Sequence, residues 1–161
     1  MLNQLVALGI GSNLDSPIEF LRKALQEIKK ISSIRVQKVA SIYESDAQLP
    51  DNAPAGWNLQ FLNSVILCAV EDSLKPLELL YILKKIEVKM GRLSKERWAP
   101  RTIDIDILYW EDIELNHEEL VLPHPRLVDR PFALLPLLEV LPQAKVNKPL
   151  WAQEWIAPKP F

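Results

Sequence analysis

The chain has 161 residues, enough for one domain with a buried core. Its 48% hydrophobic and 25% charged residues are typical of globular proteins. The formal net charge of -2 argues against a protein whose overall surface binds nucleic acid or membranes. Four glycines against thirteen prolines leave little material for a glycine-rich phosphate loop, so phosphate recognition is expected to use side chains and metal.

The single cysteine, Cys68, excludes a disulfide framework and a cysteine-based zinc site. It lies in the apolar run 65–70, so we expect a buried and unreactive thiol. No apolar stretch reaches the roughly twenty residues of a membrane span. The first basic residue is Arg22, which is unlike the basic start of a signal peptide. We therefore expect a cytoplasmic protein that binds neither membrane nor nucleic acid.

The N-terminal part predicts a strand followed by a helix. The apolar run 5–11 is typical of a buried strand, and it ends in the turn Gly11-Ser12-Asn13. Ser16, Pro17 and Glu19 then form the pattern of an N-cap with a capping box, which predicts that a helix begins there.

The other elements follow from periodicity and turn residues. They are a strand over 34–43, a polar loop over 44–59, a strand over 61–70, a helix from Pro76 to Met90, a polar loop over 91–101 and a strand over 103–110. A loop as long as 44–59 is typically functional or mobile. Short apolar pieces between prolines then predict a small C-terminal hairpin and one or two short helices. The order predicts a single α+β domain over 1–161 with a ferredoxin-like split βαβ (βαββαβ) core.

The strongest chemical signal lies at the start of the last predicted strand. Asp104 and Asp106 share one face of that strand, while the isoleucines that alternate with them point into the core. Two carboxylates about 7 Å apart on one face repel each other unless a cation lies between them. Hard oxygen ligands suit Mg²⁺, and two such ions can clamp a polyphosphate. The alternative is a solvated strand face with two harmless acids.

The segment before this pair is basic. Residues 84–101 carry a net excess of five positive charges. The lysines of the predicted helix are expected to be solvated, whereas Arg92, Arg97 and Arg101 lie beyond it, and arginine forks bind phosphate oxygens in bidentate fashion. His124, held extended between two prolines, is a further phosphate candidate, although a lone histidine is more often structural.

Two common nucleotide-binding motifs are excluded. Gly9 and Gly11 resemble the start of a dinucleotide fingerprint, but Leu14 stands where the third glycine belongs. No GxxxxGK[ST] run occurs, so the chain is not a P-loop enzyme.

Several motifs, in the right order, make the chain resemble the 6-hydroxymethyl-7,8-dihydropterin pyrophosphokinases of folate biosynthesis over essentially its full length. Residues 97–107 match the signature R-W-x-P-R-T-[IL]-D-[IL]-D-[IL] of that family. The supporting matches are Gly11-Ser12-Asn13, Phe61-Leu62-Asn63, Glu87 with Gly91-Arg92, Pro123-His124 and Arg130-x-Phe132.

The resemblance implies that the β,γ-pyrophosphate of ATP is transferred to the hydroxymethyl oxygen of a reduced pterin, leaving AMP. It also implies the ferredoxin-like core, two Mg²⁺ ions on Asp104 and Asp106, and a catalytic set of these aspartates with Arg92 and Arg101. The residues it assigns to ATP are Glu87, Arg92, Trp98, Arg101, His124 and Arg130, together with the backbone near Ile107. The residues it assigns to the pterin are Ser45, Phe61, Asn63 and Phe132.

Three positions depart from the family pattern. The segment 43–47 replaces a segment that often resembles Thr-Pro-Pro, Ser94 stands where a second arginine is common, and Pro125 stands where an aromatic residue is common. These changes concern the loops around the substrates more than the reaction class.

An alternative function is a non-catalytic ferredoxin-like module that binds nucleotide or RNA. Such a module generally needs stacking aromatic residues on its central strands, where this chain has an acidic pair. As an enzyme, the protein is expected to be a monomer that binds ATP and 6-hydroxymethyl-7,8-dihydropterin. Its proline-punctuated end, 157–161, fits either a natural terminus or fusion to another folate enzyme such as dihydropteroate synthase.

Overall fold

The computed structural model describes residues 2–46, 49–91, 102–149 and 159–161, with the side chains of residues 2 and 3 left aside. Its helices and strands are β1 (Leu2–Ser12), α1 (Pro17–Lys29), β2 (Ile34–Val39), β3 (Tyr43–Ser45), β4 (Phe61–Glu71), α2 (Pro76–Lys89), β5 (Asp104–Trp110), β6 (Leu115–Asn116), β7 (Val121–Leu122) and α3 (Pro131–Val140). The described part of the chain thus combines an antiparallel sheet with three α-helices.

The strands of the main sheet lie in the order β2-β4-β1-β5, and each neighbouring pair is antiparallel. The short strand β3 also pairs with β4, antiparallel, beyond the end of β2. The central strands β1 and β4 are apolar on both faces, as expected for strands covered on two sides.

Two apolar cores lie on opposite faces of this sheet. On the first face, Leu8 and Ile66 pack with the buried stripes of α1 and α2. On the second face, Val65 packs with Leu134 and Leu137 of α3. Helix α3 covers only part of the second face, and an open pocket occupies the part beside its first turn.

Helix α1 begins at Pro17 with Ser16 as its N-cap, as predicted, but without a side-chain capping bond. The backbone carbonyl of Ser16 accepts the N–H groups of Glu19 and Phe20 at 3.0 and 3.3 Å. The predicted capping box is therefore wrong here. Backbone hydrogen bonds close the first turn, and they need no particular side chain.

The strand predicted over 34–43 is instead two strands, because β2 ends at Val39 and β3 begins at Tyr43. Between them, the N–H of Ser41 donates to a carboxylate oxygen of Glu139 at 2.7 Å. Ile42 forms a backbone bridge with Lys159. These two residues make their hydrogen bonds away from β4, so the ladder is interrupted. Because β3 extends to Ser45, the loop predicted over 44–59 begins only at residue 46.

Two further predictions are confirmed in the described part of the chain. Cys68 is buried, and burial raises the pKa of its thiol to about 12, so the thiol stays protonated and unreactive. Strands β6 and β7 form the predicted small hairpin. Among the described helices, none combines the length and apolar composition needed to cross a membrane.

The packing of α2 can be tested at Leu83, which is fully buried in the first core. Leu83→Ala is expected to lower the free energy of unfolding by about 2–5 kcal/mol, because it leaves a cavity. Val88 lies on the same helix and is 70% exposed. Val88→Ala is therefore the matched control, with an expected change within about 0.5 kcal/mol. Urea denaturation followed by circular dichroism measures both, and equal losses would contradict this packing.

Candidate active site

The predicted carboxylate pair lies on the wall of the open pocket. Asp104 and Asp106 both line it, while Ile105 and Ile107 of the same strand are 3% and 2% exposed in the first core. The alternation of β5 therefore separates its acidic face from its apolar face, as predicted. The two acidic groups face solvent that a ligand can displace.

A bulge in β5 brings a histidine beside this pair. Ala7 pairs with Tyr109 and Leu8 with Ile107, so Leu108 is an extra residue relative to β1. The backbone carbonyl of Leu108 accepts the N–H of His124 at 2.9 Å. This hydrogen bond fixes the proline-flanked segment against β5 and places His124 in the pocket lining.

Two glycines form the floor of the pocket where β1 crosses it. A Cβ atom at Gly11 would lie 3.0 Å from Oδ1 of Asn63, and one at Gly9 would lie 2.9 Å from Cδ1 of Leu108. Real Cβ atoms rarely approach other atoms so closely. The space over β1 therefore depends on Gly11 above all, because the terminal methyl of Leu108 can move more easily than the anchored amide.

The orientation of the Asn63 amide follows from its hydrogen bonds. Asn63 is 7% exposed, and its Nδ2 donates to the backbone carbonyl of Tyr43 at 3.1 Å and to Oγ of Ser45 at 2.9 Å. A carbonyl oxygen only accepts, so the NH₂ end must face β3. The Oδ1 end then faces the Gly11 side of the pocket, where it offers a fixed acceptor to a ligand N–H.

Aromatic rings from two elements line the same pocket. Phe61 comes from the first residue of β4 and Phe132 from the first turn of α3, and both are half-buried. The guanidinium carbon of Arg130 lies 6.0 Å from the centroid of the Phe132 ring. Aromatic walls next to a fixed hydrogen-bond acceptor suit a flat heterocycle.

His124 is neutral at neutral pH. Burial, together with the charges of Arg130 and Arg126, lowers its pKa to about 4. Its Nδ1 accepts the backbone N–H of Arg126 at 3.3 Å, which leaves the proton on Nε2. This wall of the pocket therefore presents a neutral N–H donor and a guanidinium cation, both suited to an anion.

Most of the described site candidates come together in this pocket. Those that line it are Ser45, Phe61, Asn63, Asp104, Asp106, His124, Arg130 and Phe132. Two others lie elsewhere. Oε2 of Glu87, on α2, accepts the backbone N–H of Ile105 at 2.8 Å, and the side chain of Ile107 is buried in the first core.

The remaining candidates, Arg92, Trp98 and Arg101, lie outside the described residues, as does Arg97. The pocket also has lining residues that the sequence predictions did not include: Gly9, Ile10, Gly11, Asp46, Ser64, Leu108, Leu127 and Ala133. The pair Gly9-x-Gly11 was a usable signal for the floor, because glycines on a central strand mark a close approach. Leu127 and Ala133 had no such signal.

Comparisons with known proteins agree on one family. Residues 7–142 match the sequence profile of the family described as 7,8-dihydro-6-hydroxymethylpterin-pyrophosphokinase (HPPK). The chain is 36% identical over 146 residues to the 2-amino-4-hydroxy-6-hydroxymethyldihydropteridine pyrophosphokinase of Bacillus subtilis, which covers 89% of this chain and 82% of that protein.

Two larger proteins also match. The chain is 38% identical over 139 residues to a folate synthesis bifunctional protein of Chlamydia muridarum, covering 85% of this chain and 30% of that protein. It is similar in fold to a crystal structure of Plasmodium falciparum HPPK-DHPS with pterin and p-hydrobenzoate, with a TM-score of 0.61 at 15% identity. That match covers 89% of this chain and 42% of the other, so the chain spans less than half of either larger protein.

Acidification tests the neutral state of His124. Its pKa is about 4 in the folded protein against an ordinary value of 6.5, so the unfolded chain takes up the proton first as the pH falls. Its stabilising effect is therefore fully present above pH 6.5 and is lost as the pH falls towards 4. Between these limits, the free energy of unfolding should fall more steeply in the parent protein than in His124→Asn. Urea denaturation at several pH values measures this, and the same pH dependence of the free energy of unfolding in both proteins would contradict the assignment.

Proposed function

The chain belongs to the 7,8-dihydro-6-hydroxymethylpterin-pyrophosphokinase family, and we propose that it transfers the β,γ-pyrophosphate of ATP, as one unit, to the hydroxymethyl group of 6-hydroxymethyl-7,8-dihydropterin. The products are AMP and the pterin diphosphate, in a step of tetrahydrofolate biosynthesis. As a member of this family, the chain is an ATP-dependent pyrophosphokinase. The observation that carries the proposal is the single pocket that holds the carboxylate pair, the anion-binding wall and the aromatic walls together.

We assign the core to the ferredoxin-like split βαβ arrangement, within one pyrophosphokinase domain over 1–161. The strand order β2-β4-β1-β5, with α1 and α2 packed on one face, supports this assignment. In that arrangement β3, the β6–β7 hairpin and α3 are additions. The additions matter for function because β3 and α3 both contribute to the pocket.

Asp104 and Asp106 are the proposed ligands of two Mg²⁺ ions. The described residues contain no group of three or more side chains that could enclose a metal. A pair of carboxylates on one wall nevertheless fits Mg²⁺, which typically binds one or two carboxylates and takes its other ligands from phosphate and water. When bound, Mg²⁺ neutralises the triphosphate and lowers the pKa of the attacking hydroxyl.

The protein's own groups then bind and align the triphosphate. The Nε2–H of His124 and the guanidinium of Arg130 donate hydrogen bonds to phosphate oxygens. The family motif adds Arg92, Arg101 and Trp98 on the nucleotide side. Glu87 acts at a distance, because its carboxylate fixes the backbone of β5 between the two aspartates. For Ile107 the proposed contact is through its backbone, since its side chain lies in the core.

On the pterin side, Oδ1 of Asn63 accepts from the N–H groups at the hydrogen-bonding edge of the ring. Phe61 and Phe132 stack on the two faces of the ring, and Ser45 supports the Asn63 amide. Because both substrates share one pocket, the hydroxymethyl oxygen and the β-phosphorus are held close together. In-line displacement needs this alignment and charge neutralisation more than covalent catalysis.

The alternative, a non-catalytic module that binds nucleotide or RNA, is not favoured. Helix α3 covers part of the sheet face that an RNA strand would need, and the open part carries Asp104 and Asp106. An acidic pair repels a phosphate backbone unless metal accompanies it.

Product analysis tests the proposed reaction. With ATP, Mg²⁺ and the hydroxymethyl pterin together, the protein should form AMP. Asp104→Asn and Asp106→Asn are each expected to lower the rate on the order of 10²–10³-fold, because they remove charge at the triphosphate site. Asp112→Asn, at an exposed turn, is the matched control and should stay within about twofold. Formation of ADP and free phosphate would contradict the proposal.

Gly11→Ala tests the pterin side alone. The added Cβ would press on Oδ1 of Asn63, so KM for the pterin should rise about tenfold while KM for ATP stays within about twofold. Gly56→Ala is the control, because a Cβ there meets no atom within 4 Å. If Gly11→Ala leaves KM for the pterin unchanged, Asn63 does not face the pterin.

A further inference from the structure

A carboxylate outside the pocket accepts hydrogen bonds from the segment between β2 and β3 and from the first residue of β3. Glu139, on the exposed side of α3, accepts the backbone N–H of Ser41 at 2.7 Å, Oγ of Ser41 at 3.2 Å and Oη of Tyr43 at 2.9 Å. Burial, followed by this hydrogen bond to Glu139, raises the pKa of Tyr43, so the phenol keeps the proton that it donates. None of these three residues lines the pocket.

The segment that Glu139 holds leads directly into β3, which carries the two hydrogen-bond acceptors that orient the Asn63 amide. Strand β3 has only three residues, and its Tyr43 carbonyl and Ser45 hydroxyl hold both N–H groups of the Asn63 amide. Just before β3, the backbone of Ser41 and Ile42 is not bonded to β4 (Ile42 pairs with Lys159 at 2.7 and 2.9 Å). Strand β3 itself pairs with β4, but the segment that leads into it is held by contacts from outside the sheet, and Glu139 supplies those on the pocket face.

We propose that Glu139 is a positioning residue for the pterin: by fixing Ser41 and Tyr43, it keeps Oδ1 of Asn63 directed at the substrate. This inference rests on the proposed function and deepens it. It separates two roles on α3, whose first turn contacts the pterin through Phe132 and whose last turn sets the orientation of the residue that recognises its edge.

Kinetic constants of the full chain with both substrates test this role. Glu139→Ala should raise KM and Kd for the pterin about three- to tenfold, because it removes the hydrogen bonds that hold Ser41 and Tyr43. KM for ATP and kcat should change less than about twofold. Glu139→Gln should restore most of the affinity, because its amide oxygen still accepts from Ser41 and its NH₂ donates to the Tyr43 oxygen. Glu114→Ala, at an exposed glutamate before β6, is the control.

A double-mutant cycle with Asn63→Ala decides whether the effect passes through Asn63. In that background, Glu139→Ala should change the pterin Kd by less than about 1.5-fold. Equal effects in both backgrounds, or lower thermal stability with unchanged pterin KM, would overturn the inference. If Glu139→Ala fails to fold, Tyr43→Phe is the substitute, because it removes one of the three hydrogen bonds. It should raise KM for the pterin about twofold where Asn63 is present, and leave it unchanged in Asn63→Ala.

The two proposals fail in different ways. A parent protein that forms no AMP from ATP and the pterin would overturn the proposed function. An active parent with unchanged pterin affinity in both Glu139 variants would overturn only the positioning role.

Discussion

Helix α3 packs through Leu134 and Leu137 on the second face of the sheet, and this contact leaves the rest of that face open beside its first turn. The first face is covered by α1 and α2. Every described part of the proposed site depends on this unequal covering. A sheet face with polar residues at one end is stable only where solvent or a ligand reaches it, because buried and unpartnered polar groups are costly.

The strands place opposite chemistry on the walls of this opening. Strand β5 contributes two carboxylates, while the segment after β7 contributes a neutral histidine and Arg130. Such a division suits a metal-bound polyphosphate, which is cationic on one side and anionic on the other. The glycine floor and the anchored Asn63 amide lie where a flat ring can approach the sheet, so the two substrates meet across the same stretch of β1.

Local patterns predicted much of this arrangement. Alternation placed Asp104 and Asp106 on one face, the N-cap pattern located the start of α1, and periodicity located α2 to within a residue. The strand over 34–43 was wrong because Ser41 bonds to Glu139, 98 residues away in the chain, and no local pattern contains such a partner. The pocket contacts of Leu127 and Ala133 likewise depend on the return of the chain after β7, which no local pattern contains.

The most direct test is the position of the metal. Crystals grown with Mn²⁺ in place of Mg²⁺, a non-hydrolysable ATP analogue and the hydroxymethyl pterin would give anomalous peaks at the metal sites. The expected result is manganese within about 2.2 Å of carboxylate oxygens of both Asp104 and Asp106, bridging them to the analogue's phosphates. Manganese bound to the nucleotide but contacting neither carboxylate would contradict the assignment of this pocket as the site of pyrophosphate transfer.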